Sequence, residues 1–126
     1  MLVADGHPLY REALVRLIDT ASDLQVVGQA SDGQEALKLC QRLQPDLIAI
    51  DIALQNPDGL ATIRALKREL PHAKVMVLTS LAEPNYLAEA IRAGADAYVL
   101  KDLTSEQLIN AVQRALRSDT PLLISA

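Results

Sequence analysis

A chain of 126 residues is long enough for one domain with one core and too short for two, and half of its residues are hydrophobic, enough to fill that core without disulfide or metal staples. The net charge is −4, with no basic run and no interleaving of basic and aromatic residues, which excludes the usual electrostatic footprint of a nucleic-acid binder in these residues. No apolar stretch reaches the length of a membrane span, no signal peptide opens the sequence, and the single cysteine, Cys40, has no partner for an internal disulfide; a soluble cytoplasmic protein is expected.

Along the chain, short apolar runs alternate with longer segments of helical spacing. Leu2-Val3-Ala4 is the first run, and residues 8–21 follow as a helix with Leu14, Leu17 and Ile18 on one face. Val26-Val27 reads as a second strand, ahead of a helix marked by Leu37, Cys40 and Leu43, in which Cys40 is a small buried hydrophobe. Leu47-Ile48-Ala49-Ile50 is the third run, followed by Leu60, Ile63, Leu66 and Leu70 at helical spacing. Val75-Met76-Val77-Leu78 is the fourth, and its helix, with Leu87, Ala90 and Ile91 on one face, ends at Gly94. After Ala97-Tyr98-Val99-Leu100, a last helix opens at Thr104, carries Glu106 and Gln107 in its first turn, and buries Leu108, Ile109, Val112 and Leu116. The runs are apolar throughout rather than alternating, as in parallel strands covered on both faces. Five βα units joined by right-handed crossovers predict an α/β protein with a doubly wound, five-stranded parallel sheet and five helices.

Four runs finish on a polar residue at or just past the last apolar position: Asp5, Asp51, Thr79 and Lys101. In a parallel sheet these ends share one edge, where such folds bind their ligands. Taken singly, Asp5 would pass for a turn former, Thr79 for an ordinary strand residue and Lys101 for a solvated charge. Asp51 is harder to dismiss, because it directly follows an apolar strand and a buried carboxylate without a purpose is costly. As a set they fit one chemistry. A carboxylate can accept a phosphoryl group, Mg²⁺ takes one or two carboxylates plus phosphate oxygens and waters, and an ammonium and a hydroxyl can hold the incoming oxygens.

The residues that carry these features resemble the receiver domains of response regulators, especially those of LuxR/NarL-type transcription factors, along nearly the whole chain. The matching segments are VADGHPLYRE (3–12), VVGQASDG (26–33), PDLIAIDI (45–52), DG (58–59), VMVLTS (75–80) and AGADAYVLKD (93–102). The resemblance implies a flavodoxin-like strand order of 2-1-3-4-5 and phosphorylation of Asp51 by a sensor histidine kinase. It implies Mg²⁺ held by Asp5, Asp51 and the backbone carbonyl of Ala53. Lys101 would pair with the acceptor and then with the phosphoryl group, Thr79 would supply the switch hydroxyl, and Tyr98 would swing inward beside it. His7 is read as the loop-to-helix entry of the family and His72 as an exposed turn residue, neither of them a metal ligand.

Three positions depart from the family pattern. Gly6 stands where a second acidic residue usually meets the metal, which implies a weakened Mg²⁺ site. Gln55 replaces a usual proline, with Pro57 two residues on, and Asp102 follows Lys101 in place of another. Residues 1–118 are expected to form the receiver and 119–126 to begin a linker toward a helix-turn-helix domain, so that DNA is met only through a domain not present in this chain. A homodimer is expected, with Gln113 and Arg117 of the last helix among the candidate contacts. One alternative is a pseudo-receiver that works by protein contacts alone. Another is an aspartyl-phosphate phosphatase of the haloacid dehalogenase type, which would need an acid where Ala53 stands. A flavin or nucleotide binder would want a Gly-rich loop where residues 5–8 read Asp-Gly-His-Pro.

Overall fold

A computed structural model describes residues 1–80, 84–119 and 122–124. Strands β1 (Leu2–Ala4), β2 (Gly28–Ala30), β3 (Leu47–Ile50), β4 (Lys74–Thr79) and β5 (Ala97–Leu100) alternate with helices α1 (Pro8–Asp19), α2 (Gly33–Leu43), α3 (Gly59–Glu69), α4 (Pro84–Ala93) and α5 (Ser105–Arg117). All strand pairs are parallel, and the first five strands lie in the order 2-1-3-4-5, as expected. A sixth strand, β6 (Leu122–Ile124), is an addition: it pairs in parallel with β5, Tyr98 opposite Leu123, within the stretch expected to begin a linker.

The sheet separates two aliphatic cores. On one face Leu2, Ile48, Ile50, Val75 and Val77 pack with Ile63 and Leu66 of α3 and with Tyr98. On the other, Val3, Leu47, Ala49, Met76 and Val99 pack with Leu14 and Ile18 of α1 and with Leu108 and Val112 of α5. β1, β3 and β4 are buried almost end to end, which is why their sequences are apolar without alternation.

The second strand lies two residues later than expected. Val26 and Val27 precede it, and Val27 is 43% exposed. β2 is Gly28-Gln29-Ala30 at the sheet's edge, where covering is partial and apolar content is a poor guide. Gly28 is there for space, since a Cβ would press on the Leu2 and Leu43 side chains at 3.3 and 3.0 Å. Ile91, expected on the covered face of α4, is also 43% exposed.

The helix ends follow the local chemistry. Thr104 and Gln107 form a capping box at the start of α5. Gly94, at φ 109°, closes α4 with Gly94 N bonded to Ile91 O and Ala95 N to Ala90 O, the paired bonds of a Schellman motif. Among the described residues no helix is long and apolar enough to cross a membrane.

Candidate functional site

The strand ends converge because each site residue is tied by its backbone to the neighbouring strand. Asp5 N donates to Ala30 O at 3.0 Å, Asp51 N to Ala4 O at 3.0 Å, and Lys101 N to Thr79 O at 2.8 Å. These bonds prolong the parallel ladders by one residue, so the side chains leave the sheet at fixed points along one edge. Asp5, Asp51 and Thr79 are all at least 95% buried.

Lys101 joins the carboxylates. Its Nζ lies 2.8 Å from Asp5 Oδ2 and 2.8 Å from Asp51 Oδ2. The other oxygen of Asp51, Oδ1, accepts from Ala53 N at 2.9 Å. Burial opposes the charge on Lys101, but its hydrogen bonds to Asp5 and Asp51 and their negative charges outweigh that, so its pKa is raised. One ammonium between two buried carboxylates leaves the cluster with one net negative charge, an environment that suits a further cation.

Three residues of the β1–α1 segment complete the surroundings. His7 N donates to Asp5 Oδ1 at 2.8 Å, and His7 Nδ1 lies 3.0 Å from the same oxygen and 3.9 Å from Asp51 Oδ2. Arg11 Nη1 donates to the Asp5 carbonyl at 2.7 Å. The ring of Tyr10 lies 4.1 Å from Lys101 Nζ, a cation–π contact. Burial is the main cause that raises the Tyr10 pKa, with Lys101 acting the other way.

A cavity of about 420 Å³ opens beside Asp51, lined by Gly6, His7, Asp32, Ala53 and Asn56 among others. Its far wall is the β3–α3 loop, which is held by α2: Gly33 N donates to Gln55 O and Gln34 N to Asn56 O, both at 2.8 Å. Asn56 has φ 61°, and its bond to Pro57 is cis. Gly59 then starts α3 so close to β3 that a Cβ would overlap the Ile52 carbonyl.

The expected site residues thus fall as follows. Asp5, Asp51 and Lys101 are in direct contact. Thr79 ends β4 on the same edge, and Ala53 lines the cavity. Tyr98 is only 2% exposed. His72 is exposed. His7 was set aside in sequence as a loop residue, yet Asp5, His7 and Asp51 bring one ligand atom each within 4.8 Å of one another. Gln113 is half-buried and bonds to Asp23 at 3.1 Å.

A profile of the response regulator receiver domain matches residues 1–113. The response regulator protein VraR of Staphylococcus aureus is 33% identical over 120 residues, which cover 95% of this chain and 57% of that protein. The chain therefore spans little more than half the length of such relatives. The signal receiver domain of NarL from Mycobacterium tuberculosis superposes with a TM-score of 0.87 at 33% identity, covering 93% of this chain and 94% of that one. A LuxR-family DNA-binding response regulator from Staphylococcus aureus superposes with a TM-score of 0.86 at 26% identity, covering 92% and 97%.

Proposed function

This chain belongs to the response regulator receiver domain family, and from that premise we propose that it is a phosphorylation-driven switch whose acceptor is Asp51. The observation that carries the reading is Lys101, whose ammonium spans Asp5 and Asp51 at 2.8 Å each, with Asp51 at the mouth of an open cavity. A carboxylate oxygen of Asp51 forms a bond to phosphorus as the bond to a histidine nitrogen on a sensor kinase breaks. The imidazole leaves with the electron pair, and the product is an aspartyl phosphate.

Lys101 prepares this step by holding Asp51 Oδ2 in place, and Ala53 N fixes Oδ1. As charge moves onto the phosphoryl oxygens, the ammonium can follow it, and the Thr79 hydroxyl on the same edge can be drawn toward them. Asp5, Asp51 and the Ala53 carbonyl would hold Mg²⁺, which supplies positive charge between two groups that otherwise repel. Tyr98, buried on β5 opposite Val77 of β4, would link the state of this edge to the α4 and β5 surface.

The proposed output is that of a cytoplasmic homodimer which controls transcription through a DNA-binding domain outside these residues, as the DNA-binding LuxR-family relative suggests, with residues 119–126 leading toward it. Acetyl phosphate with Mg²⁺ tests the acceptor. The wild type should gain one phosphoryl group by intact mass and Asp51→Asn none; equal labelling of both would overturn the assignment. A second reading, the pseudo-receiver, draws on Gly6, which brings no carboxylate to the cation. It would take over if no phosphodonor labelled the wild type at any Mg²⁺ concentration.

A further inference from the structure

We propose that His7 is a nitrogen ligand of this chain's cation site, standing in for the carboxylate that Gly6 does not supply, and that it turns the site toward Co²⁺, Ni²⁺ and Zn²⁺. The proposal rests on the reading of Asp5 and Asp51 as a cation site and adds a ligand, and a selectivity, that the reading does not contain.

The geometry comes first. In an octahedral ion with bonds of about 2.1 Å, adjacent ligand atoms lie about 3.0 Å apart and opposite ones about 4.2 Å. His7 Nδ1 lies 3.0 Å from Asp5 Oδ1 and 3.9 Å from Asp51 Oδ2. Both separations fall within that range. Lys101 bonds the Oδ2 atoms of both carboxylates, which leaves Asp5 Oδ1 to the imidazole, and the ion would share Asp51 Oδ2 with the ammonium.

The backbone holds the ring there. His7 N is bonded to Asp5 Oδ1, His7 O accepts from Arg11 N at 2.9 Å, and Pro8 follows at the first helical position. His7 is the N-cap of α1, yet its side chain makes no capping bond. The imidazole is not engaged in holding the helix. At 70% exposure it sits at the rim of the cavity that Gly6 leaves open, where an ion arriving from solvent meets it at little desolvation cost.

The chemistry then sets the selectivity. Mg²⁺ prefers oxygen ligands and keeps its waters, so an imidazole gives it little. Co²⁺, Ni²⁺ and Zn²⁺ accept imidazole nitrogen readily and bind mixed nitrogen and oxygen sites more tightly than the earlier divalent ions.

The test is calorimetric titration with Ni²⁺ and with Mg²⁺, together with ¹⁵N shifts of the imidazole nitrogens under Zn²⁺. It uses the wild type, His7→Ala, Asp51→Asn, and His72→Ala as the control for the other histidine. We expect His7→Ala to lose Ni²⁺ affinity by roughly tenfold or more with Mg²⁺ affinity unchanged, and His7 Nδ1 to shift with Zn²⁺ but not Mg²⁺. Asp51→Asn should weaken both ions. If His7→Ala keeps its Ni²⁺ affinity, or His7 Nδ1 does not move, the ligand assignment is wrong while the carboxylate site stands. If Asp51→Asn leaves both affinities unchanged, or neither ion binds the wild type, the cation site itself falls, and His7's role with it.

Discussion

Replacing Gly6 with aspartate adds a third carboxylate at the rim of the cavity. A Cβ at position 6 would meet only the Ser31 carbonyl, at an ordinary 3.5 Å, so the new side chain fits without displacing backbone. Position 6 lines the same cavity as Asp51, and we take the new carboxylate to lie about 4 Å from a cation held there. The cavity is open to solvent, and at near-bulk dielectric two unit charges at that distance interact by about 1 kcal/mol. A divalent ion doubles this to about 2 kcal/mol, or roughly 30-fold in Mg²⁺ affinity. Without metal the same carboxylate repels Asp5 and Asp51, so the thermal midpoint should fall in chelator and recover on adding Mg²⁺. Calorimetric titration with Mg²⁺ measures the affinity, and acetyl phosphate labelling at limiting Mg²⁺ should speed up in step. Equal Mg²⁺ affinity in wild type and Gly6→Asp would refute the reasoning, because it would mean that a group already present fills the vacancy for Mg²⁺ as well as a carboxylate does.

Other perturbations bear on the buried charges. Lys101→Met leaves Asp5 and Asp51 facing each other without their shared cation, and should cost about 3–5 kcal/mol in urea unfolding, less in an Asp51→Asn background. No coupling between those two substitutions would argue against the shared ammonium. Two groups should weaken the fold in alkali. The Lys101 pKa is raised by its carboxylates against the opposing effect of burial, so its contribution is complete below its ordinary 10.5 and is lost as the pH climbs through the raised value. Burial pushes the Cys40 thiol up to about 12, so its contribution is complete below 9.0 and fades between there and 12. Urea midpoints of wild type, Lys101→Met and Cys40→Ala on either side of pH 10.5 separate the two. At neutral pH Cys40 should react with a thiol reagent only as fast as the protein opens; fast labelling of the folded state would contradict its burial.

How much of this was legible beforehand depended on how local the cause was. β1, β3, β4 and β5 were readable because burial on both faces forces continuous apolar runs, and the polar residue ending each run marked the edge where Asp5, Asp51, Thr79 and Lys101 gather. The capping pair Thr104 and Gln107 and the terminating Gly94 act within one turn of the chain, and they fell where expected. β2 escaped by two residues because an edge strand need not be apolar, so the better-looking Val26-Val27 drew the reading away from Gly28-Gln29-Ala30. β6 has only the short apolar run Leu122-Leu123-Ile124 as a local mark, and its partner β5 lies across α5, a pairing that spacing does not reveal. Tyr10 was missed for a related reason: its contact with Lys101 depends on the angle at which α1 leaves the β1 edge, and spacing along the chain does not encode it.

The sixth strand bears on how this domain can be handled. β5 carries Tyr98 and leads directly into Lys101, and without β6 its outer flank would present unpaired amides and carbonyls. Such a flank invites a strand from another molecule. A version of the protein cut after α5 would therefore leave that flank open to strand addition, so any self-association it showed in a sedimentation run would need to be told apart from pairing of the whole chain. Trimming the tail would remove the cover from the strand that leads into Lys101.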